Sequence, residues 1–277
     1  MGGCGGGDAS SAQSDGSELV DQDASPPYVG ALEVNPRDGS LLLGTNSGLW
    51  RVSRDGRRIE RQRARMGTND VSAGLALRFT GPDELVGSGH PGERSDIPIL
   101  GLIRSSDGGR TWKPVARQGE SDFHSLAVSG DTIAAGEGSE ATVYATDDGG
   151  RSFETRATPL ALLDLELDPG SESHWIASAE NGLFTSDDDG ETWRPRDTLP
   201  NIRLVWPASG SLFRVDPDGV VRRSGDSGET WEEVGRVEGE TQALAAAGPR
   251  TLYAADVEGA IRVSRDGGRT WSQFTRP

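Results

Sequence analysis

From Tyr28 onward the chain alternates short apolar runs with clusters of turn residues. Phe123 to Val128, Thr132 to Ala135 and Ala141 to Ala145 are such runs, and Gly130-Asp131 and Gly136 to Glu140 separate them. Each has strand length and falls short of the roughly 10–12 residues of a helix, so the pattern predicts antiparallel strands joined by tight turns. A further run starting at Phe153 completes a unit of four strands. Five other stretches scan alike, with first strands at Ala31 to Val34, Gly74 to Phe79, Leu163 to Leu167, Ile202 to Trp206 and Thr241 to Ala246.

Each unit carries the same eight-residue phrase where its third strand turns into its fourth. The cleanest copy is Ser264-Arg265-Asp266-Gly267-Gly268-Arg269-Thr270-Trp271. Ser105 to Trp112, Thr146 to Phe153, Ser186 to Trp193 and Ser224 to Trp231 follow the same rule: hydroxyl, any, Asp, any, Gly, any, hydroxyl, aromatic. A sixth copy starts at Ser53 and decays after Asp55, with Arg57, Ile59 and Glu60 at the glycine, hydroxyl and aromatic positions. The copies begin at 53, 105, 146, 186, 224 and 264, so the steps are 52, 41, 40, 38 and 40 residues. Self-similarity at about 40 residues marks a repeat architecture. Six four-stranded antiparallel units at this period predict an all-β fold, a six-bladed β-propeller over 28–277 with these phrases as its turns.

In such a turn the Asp and hydroxyls bond backbone groups that have no ladder partner. The second glycine supplies a backbone shape closed to other residues. The phrase matches the Asp-box, or BNR repeat, of sialidases, sortilin-type receptors and photosystem-assembly propellers. That resemblance implies that the box Asp is structural and lies opposite the ligand face, so Asp55, Asp107, Asp148, Asp188, Asp226 and Asp266 are not read as catalytic. A narrower resemblance, carried by Ser88-Gly89-His90-Pro91, Gly101 to Arg104 and Asp122-Phe123-His124, points to single-domain bacterial propellers labelled glycosyl hydrolase. Those relatives often have His-Gly at the first inner strand, where Val29-Gly30 stands here.

Composition changes the picture at the N-terminus. Residues 1–27 are Gly-, Ser- and Asp-rich, with Asp8, Asp15, Glu18, Asp21 and Asp23 and no Lys or Arg, and predict a disordered tether. Gly2-Gly3-Cys4 resembles the cleavage end of a bacterial lipoprotein signal. It implies lipidation at Cys4 and an extracytoplasmic place at the cell surface, and requires an apolar stretch ahead of Met1. If Met1 is the true start, the chain is cytoplasmic. Cys4 is the single cysteine, so no internal disulfide forms.

The formal net charge is −16, and Lys113 is the one lysine. Arginine-dominated positive charge fits a high-GC genome or adaptation to high salt. An acidic surface argues against nucleic acid as partner. A membrane enters only through the lipid, and a monomer is expected.

With the boxes at the bottom, the top loops carry the candidate ligand groups. They are His90, Asp96, Asp122, His124, Glu137, Asp164, Glu180, Arg203, Asp216 and Asp256. The longest top loop, His90 to Pro98, accounts for the 52-residue step. Topology lets His90 and His124 meet on adjacent blades, where with nearby carboxylates they would hold a divalent metal or form an acid–base pair. No other cofactor is indicated. A sialidase is disfavoured: its Phe/Tyr-Arg-Ile-Pro phrase is absent, and Arg78 and Arg203 alone do not make an arginine triad. The expected function is a non-catalytic propeller binding a protein, glycan or cation ligand on an acidic top face. The alternative is a glycoside hydrolase working through carboxylates at the channel mouth. An assembly factor ranks below both.

Overall fold

The computed structural model describes residues 28–92, 95–208 and 210–275, without the side chains of 72–75. The predicted tether and Cys4 lie outside these residues, as does Glu93 of the long top loop. Six antiparallel sheets follow one another along the chain, each a meander whose neighbours in sequence are neighbours in the sheet. Their inner strands are Val29–Val34, Asn69–Phe79, Phe123–Ser129, Leu162–Asp168, Arg203–Val205 and Thr241–Ala246. Each inner strand packs against the next, and the last packs against the first, so the six sheets form the blades of a closed ring.

The second blade departs from expectation. Its second strand is Leu85–Pro91, so His90 ends a strand rather than opening a loop. A short strand, Arg65–Met66, folds back on Asn69–Asp70 as an extra hairpin. The long first step thus divides between that hairpin and the loop after Pro91.

The boxes are hydrogen-bonded turns. Asp107 accepts from the Ser105 hydroxyl at 2.8 Å, the backbone N–H groups of Arg110 and Thr111 at 3.0 and 2.8 Å, and the Thr111 hydroxyl at 2.6 Å. The Ser105 hydroxyl accepts in turn from Gly109 N–H at 2.9 Å. Asp148, Asp188, Asp226 and Asp266 repeat the pattern. Donors from the following hydroxyl hold Asp188, Asp226 and Asp266 at about 2. In the worn box Asp55 keeps its bonds to Ser53 and the Arg57 N–H and has no hydroxyl at position 59.

The fifth box position has φ between +84 and +92 in all five good copies, at Gly109, Gly150, Gly190, Gly228 and Gly268. Space excludes a side chain there as well: a Cβ on Gly190 would stand 2.6 Å from the Trp175 ring. Gly190→Ala is therefore expected to destabilise the chain by about 1–3 kcal/mol through strain alone, and more through the clash. Gly119→Ala is the control, since Gly119 also has positive φ but meets nothing within 4 Å. Urea unfolding of the two variants separates the contributions, and equal losses would remove the clash from the account.

The core lies in the seams between blades, one apolar cluster per seam. At five seams the box aromatic of one blade packs with the blade before it. Trp112 fills the seam between blades one and two, and Phe153, Trp193, Trp231 and Trp271 fill the next four in turn. At the sixth seam Glu60 stands where the aromatic belongs. Phe274, beyond the last box, packs there against both Tyr253 and the first blade's Leu43 and Trp50 cluster. A Cβ on Gly56 of the worn box would lie 2.3 Å from the Phe274 carbonyl oxygen, so the C-terminal segment abuts that turn. The ring closes through side-chain packing, with every blade built from consecutive strands.

Candidate functional site

In an antiparallel meander the turns between strands one and two and between three and four share a face. The boxes therefore mark the bottom. The top holds the turns between strands two and three and the entries to the inner strands.

Four inner strands carry a bulge at their second residue, and the inner strand of the second blade shifts register between Val71 and Ala73 and again between Ala73 and Ala76. Pairing skips Gly30, His124, Leu163 and Gln242, the second residue of the strand in each case. A bulge leaves its extra residue unpaired and re-aims its side chain. All four line one cup at the top of the channel, of about 590 Å³. Tyr28, Leu160, Ala161, Leu162, Glu180 and Arg203 are among the other residues of its wall. Tyr28 and Leu160 stand 47% and 36% exposed, large apolar surface turned toward solvent.

Of the predicted site residues, His124, Glu180 and Arg203 share this cup, and Asp164 lies just below it. Arg203 reaches the Leu163 carbonyl at 3.3 Å and the Gln242 Oε1 at 3.5 Å, while its buried Nε has no hydrogen-bond partner among the described residues. The Tyr28 hydroxyl donates to Gln242 Oε1 at 3.1 Å. Tyr28, Leu160 and Gln242 escape a reading based on charge and loops. The signal for Gln242 was its place, second in an inner strand like His124.

His90 and His124 do meet, from the second and third blades. Their Nε2 atoms lie 3.1 and 2.9 Å from the same atom, Asp122 Oδ2. Burial pushes the Asp122 carboxyl up, but the histidine contacts outweigh it and leave Asp122 below the usual carboxylate range. The bond to Asp122 in turn raises His124. Both imidazoles are spent on one carboxylate oxygen, and among the described residues no group of three or more His, Cys, Asp or Glu converges as metal ligands.

Several acidic top residues are turned inward instead. Asp216 is buried between Arg222, at 2.8 Å, and Arg214, whose Nε lies 3.0 Å away without hydrogen-bond alignment. Asp256 pairs with Arg262 at 2.6 Å and accepts the N–H groups of Glu258 and Ala260. Glu137 accepts from Ser139 and from the N–H groups of Asp122 and Glu140. These three hold turns and do not line the cup. Asp96 is exposed and lies outside it as well. Among the described residues the mouth is thus far less acidic than the loops suggest, with Glu180 the one carboxylate in its lining. His174 sits at the bottom, with Nδ1 2.7 Å from Asp187 Oδ1 and Nε2 2.9 Å from the Ser227 carbonyl.

Below the cup an ion cluster fills the channel. Arg78 donates to Glu33 at 2.7 Å and Glu166 at 3.0 Å, and lies 3.7 Å from Asp164. Asp164 also accepts the N–H groups of Leu165 and Leu204. Burial pushes Glu166 up to about 8 and also raises Glu33, against the pull of Arg78.

The BNR/Asp-box repeat model matches residues 262–273, the box Ser264 to Trp271 and its flanks. No curated protein matches the sequence. Among solved structures, the GH74 enzyme of Niastella koreensis superposes with a TM-score of 0.62 at 15% identity, over 90% of this chain and 45% of that one. A YCF48 bound to a D1 peptide gives 0.57 at 20% identity, over 91% of this chain and 83% of that one. A chain of a nidogen/laminin complex gives 0.64 at 14% identity, over 86% and 93%. The chain spans less than half the length of the GH74 enzymes it matches. Likeness at these identities is likeness of fold. The chain is a six-bladed β-propeller with Asp-box turns.

Proposed function

We propose that this propeller is a non-catalytic binding protein whose ligand occupies the cup at the top of the channel. The observation that carries the reading is the cup itself: four bulged inner-strand residues, Gly30, His124, Leu163 and Gln242, line a space of about 590 Å³. That volume suits small-molecule sites, which run to roughly 300–1,000 Å³. Exposed Tyr28 and Leu160 give the cup apolar area to bury, while Arg203 and Gln242 give it polar selectivity. The expected lipid tether at Cys4 belongs to the same reading, since it would hold such a receptor at a membrane.

The alternative is a glycoside hydrolase, which draws support from the GH74 likeness. Its chemistry needs two carboxyl groups flanking the scissile bond. Glu180 is available, but Asp164 already accepts two backbone N–H groups and faces Arg78.

A fragment library screened by ligand-observed NMR tests the binding reading. Hits are expected for the native chain and should vanish in Ala161→Trp, which fills the cup. They should survive Arg265→Ala on the opposite face. No hits, or hits that Ala161→Trp leaves in place, would refute it. Turnover of chromogenic glycosides that disappears in Glu180→Gln would instead establish the hydrolase.

A further inference from the structure

Resting on the reading of the cup as a binding site, we infer that its ligand is a small organic monocarboxylate on an apolar body, with the carboxylate held by Arg203. Arg203 makes no ion pair among the described residues, unlike Arg78, Arg214, Arg222 and Arg262 elsewhere in the ring. Its bonds to Leu163 and Gln242 are long, and its Nε is buried without an acceptor. A buried donor left without a partner is costly, and such groups call for an explanation in function. Nη1 and Nη2 each keep a second N–H beyond those long bonds, and the guanidinium holds such donors in one plane, the geometry that a carboxylate fills with two charge-assisted bonds.

The neighbouring groups narrow the ligand further. His124 does not compete for the anion, because its charge is already met by Asp122. The Gln242 Oε1 receives Tyr28 and Arg203, which leaves the amide nitrogen of Gln242 as a second donor beside the guanidinium. Leu160, Leu162 and the Tyr28 ring supply apolar wall for the rest of the molecule. Glu180 is the cup's own carboxylate, and Asp164 sits beneath. A second negative charge on the ligand would meet both, so a dianion is rejected where a monoanion is accepted.

Isothermal titration of the full chain at pH 7 tests this with three probes: 3-phenylpropionate, its neutral amide, and the dianion phenylsuccinate. The acid is expected to bind about tenfold or more tighter than the amide, as a charge-assisted bidentate contact would require. Arg203→Gln should abolish that preference while leaving the amide's affinity within about twofold. Arg203→Lys, which keeps the charge and loses the fork, should fall between them. Phenylsuccinate should bind more weakly than 3-phenylpropionate, and Glu180→Gln should narrow that gap. Equal binding of acid and amide, a preference that survives Arg203→Gln, or no binding of the acid would each overturn the inference. Neutral fragments that bind and are displaced by Ala161→Trp would leave the binding reading intact even then. If nothing is lost in Ala161→Trp, both fall together.

Discussion

Phe274→Ala should unfold this propeller more readily than truncation of any of the partly buried box aromatics Phe153, Trp193, Trp231 and Trp271. Phe274 is 8% exposed, and its ring meets Tyr253 edge-on at 5.0 Å. It packs on apolar side chains of the first and last blades together. Removing a buried phenylalanine typically costs about 3–5 kcal/mol. For a chain of this size that corresponds to a fall in Tm of roughly 6–15 °C. Trp271 and Trp193 are only partly buried, so their truncation removes less enclosed surface. The seam is also different in kind. The other five join blades adjacent in sequence and stay close when the chain frays, whereas this one joins the two ends of the propeller. Its loss should therefore let the first and last blades open ahead of the rest, with early proteolytic cuts near both termini. Calorimetry together with limited proteolysis reads both effects. A loss under about 1 kcal/mol, or cuts spread evenly over the blades, would show that the closure lies elsewhere.

Phe274 lies outside the repeat, so periodicity does not point to it. The period of about 40 residues locates a box aromatic in every unit except the first, where Glu60 reads as decay. Nothing local says that the gap is filled by a residue more than two hundred positions away. The boxes themselves were legible because the turn, its donors and its glycine are all contiguous. The same distinction runs through the site. His90, Asp122 and His124 were placed together by topology alone, since strand ends on one face of adjacent blades must be neighbours. Asp216 and Asp256 read as candidate ligand groups in sequence, where a turn carboxylate looks the same whether it faces solvent or an arginine. Their partners, Arg222 and Arg262, are six residues on, across a hairpin whose register was not known. The cup's bulges were equally hidden, because a skipped pairing at Gly30 or Gln242 leaves no compositional mark.

Arg78 is where one substitution and one pH scan should move stability together. It is the cation of a buried cluster with Glu33, Asp164 and Glu166. Arg78→Met leaves three carboxyl groups in the channel with no counter-charge. Removing one partner of a buried ion pair costs about 3–5 kcal/mol. That cost should grow with pH, because the orphaned carboxyls escape it only by staying protonated. The native chain carries a weaker form of the same dependence. Burial raises Glu166 from its ordinary 4.5 to about 8, so the folded state binds a proton that the unfolded state has released. Stability from this group is complete below about 4.5 and is lost as pH rises through 8. The box aspartates act in the opposite sense. Held near 2, Asp188, Asp226 and Asp266 contribute above their ordinary 3.8, and that contribution is lost as pH falls through 2. The two trends place maximum stability in mildly acid solution and predict a decline toward pH 8.5. Self-repulsion of a chain with net charge −16 gives a decline of the same sign, so a control is needed. Glu166→Gln provides it, keeping the shape of the neutral acid and removing the titration. Urea unfolding at pH 5, 7 and 8.5 should show a flatter decline for Glu166→Gln than for the native chain, and a steeper one for Arg78→Met. Parallel curves for all three would mean that the channel cluster does not hold the proton.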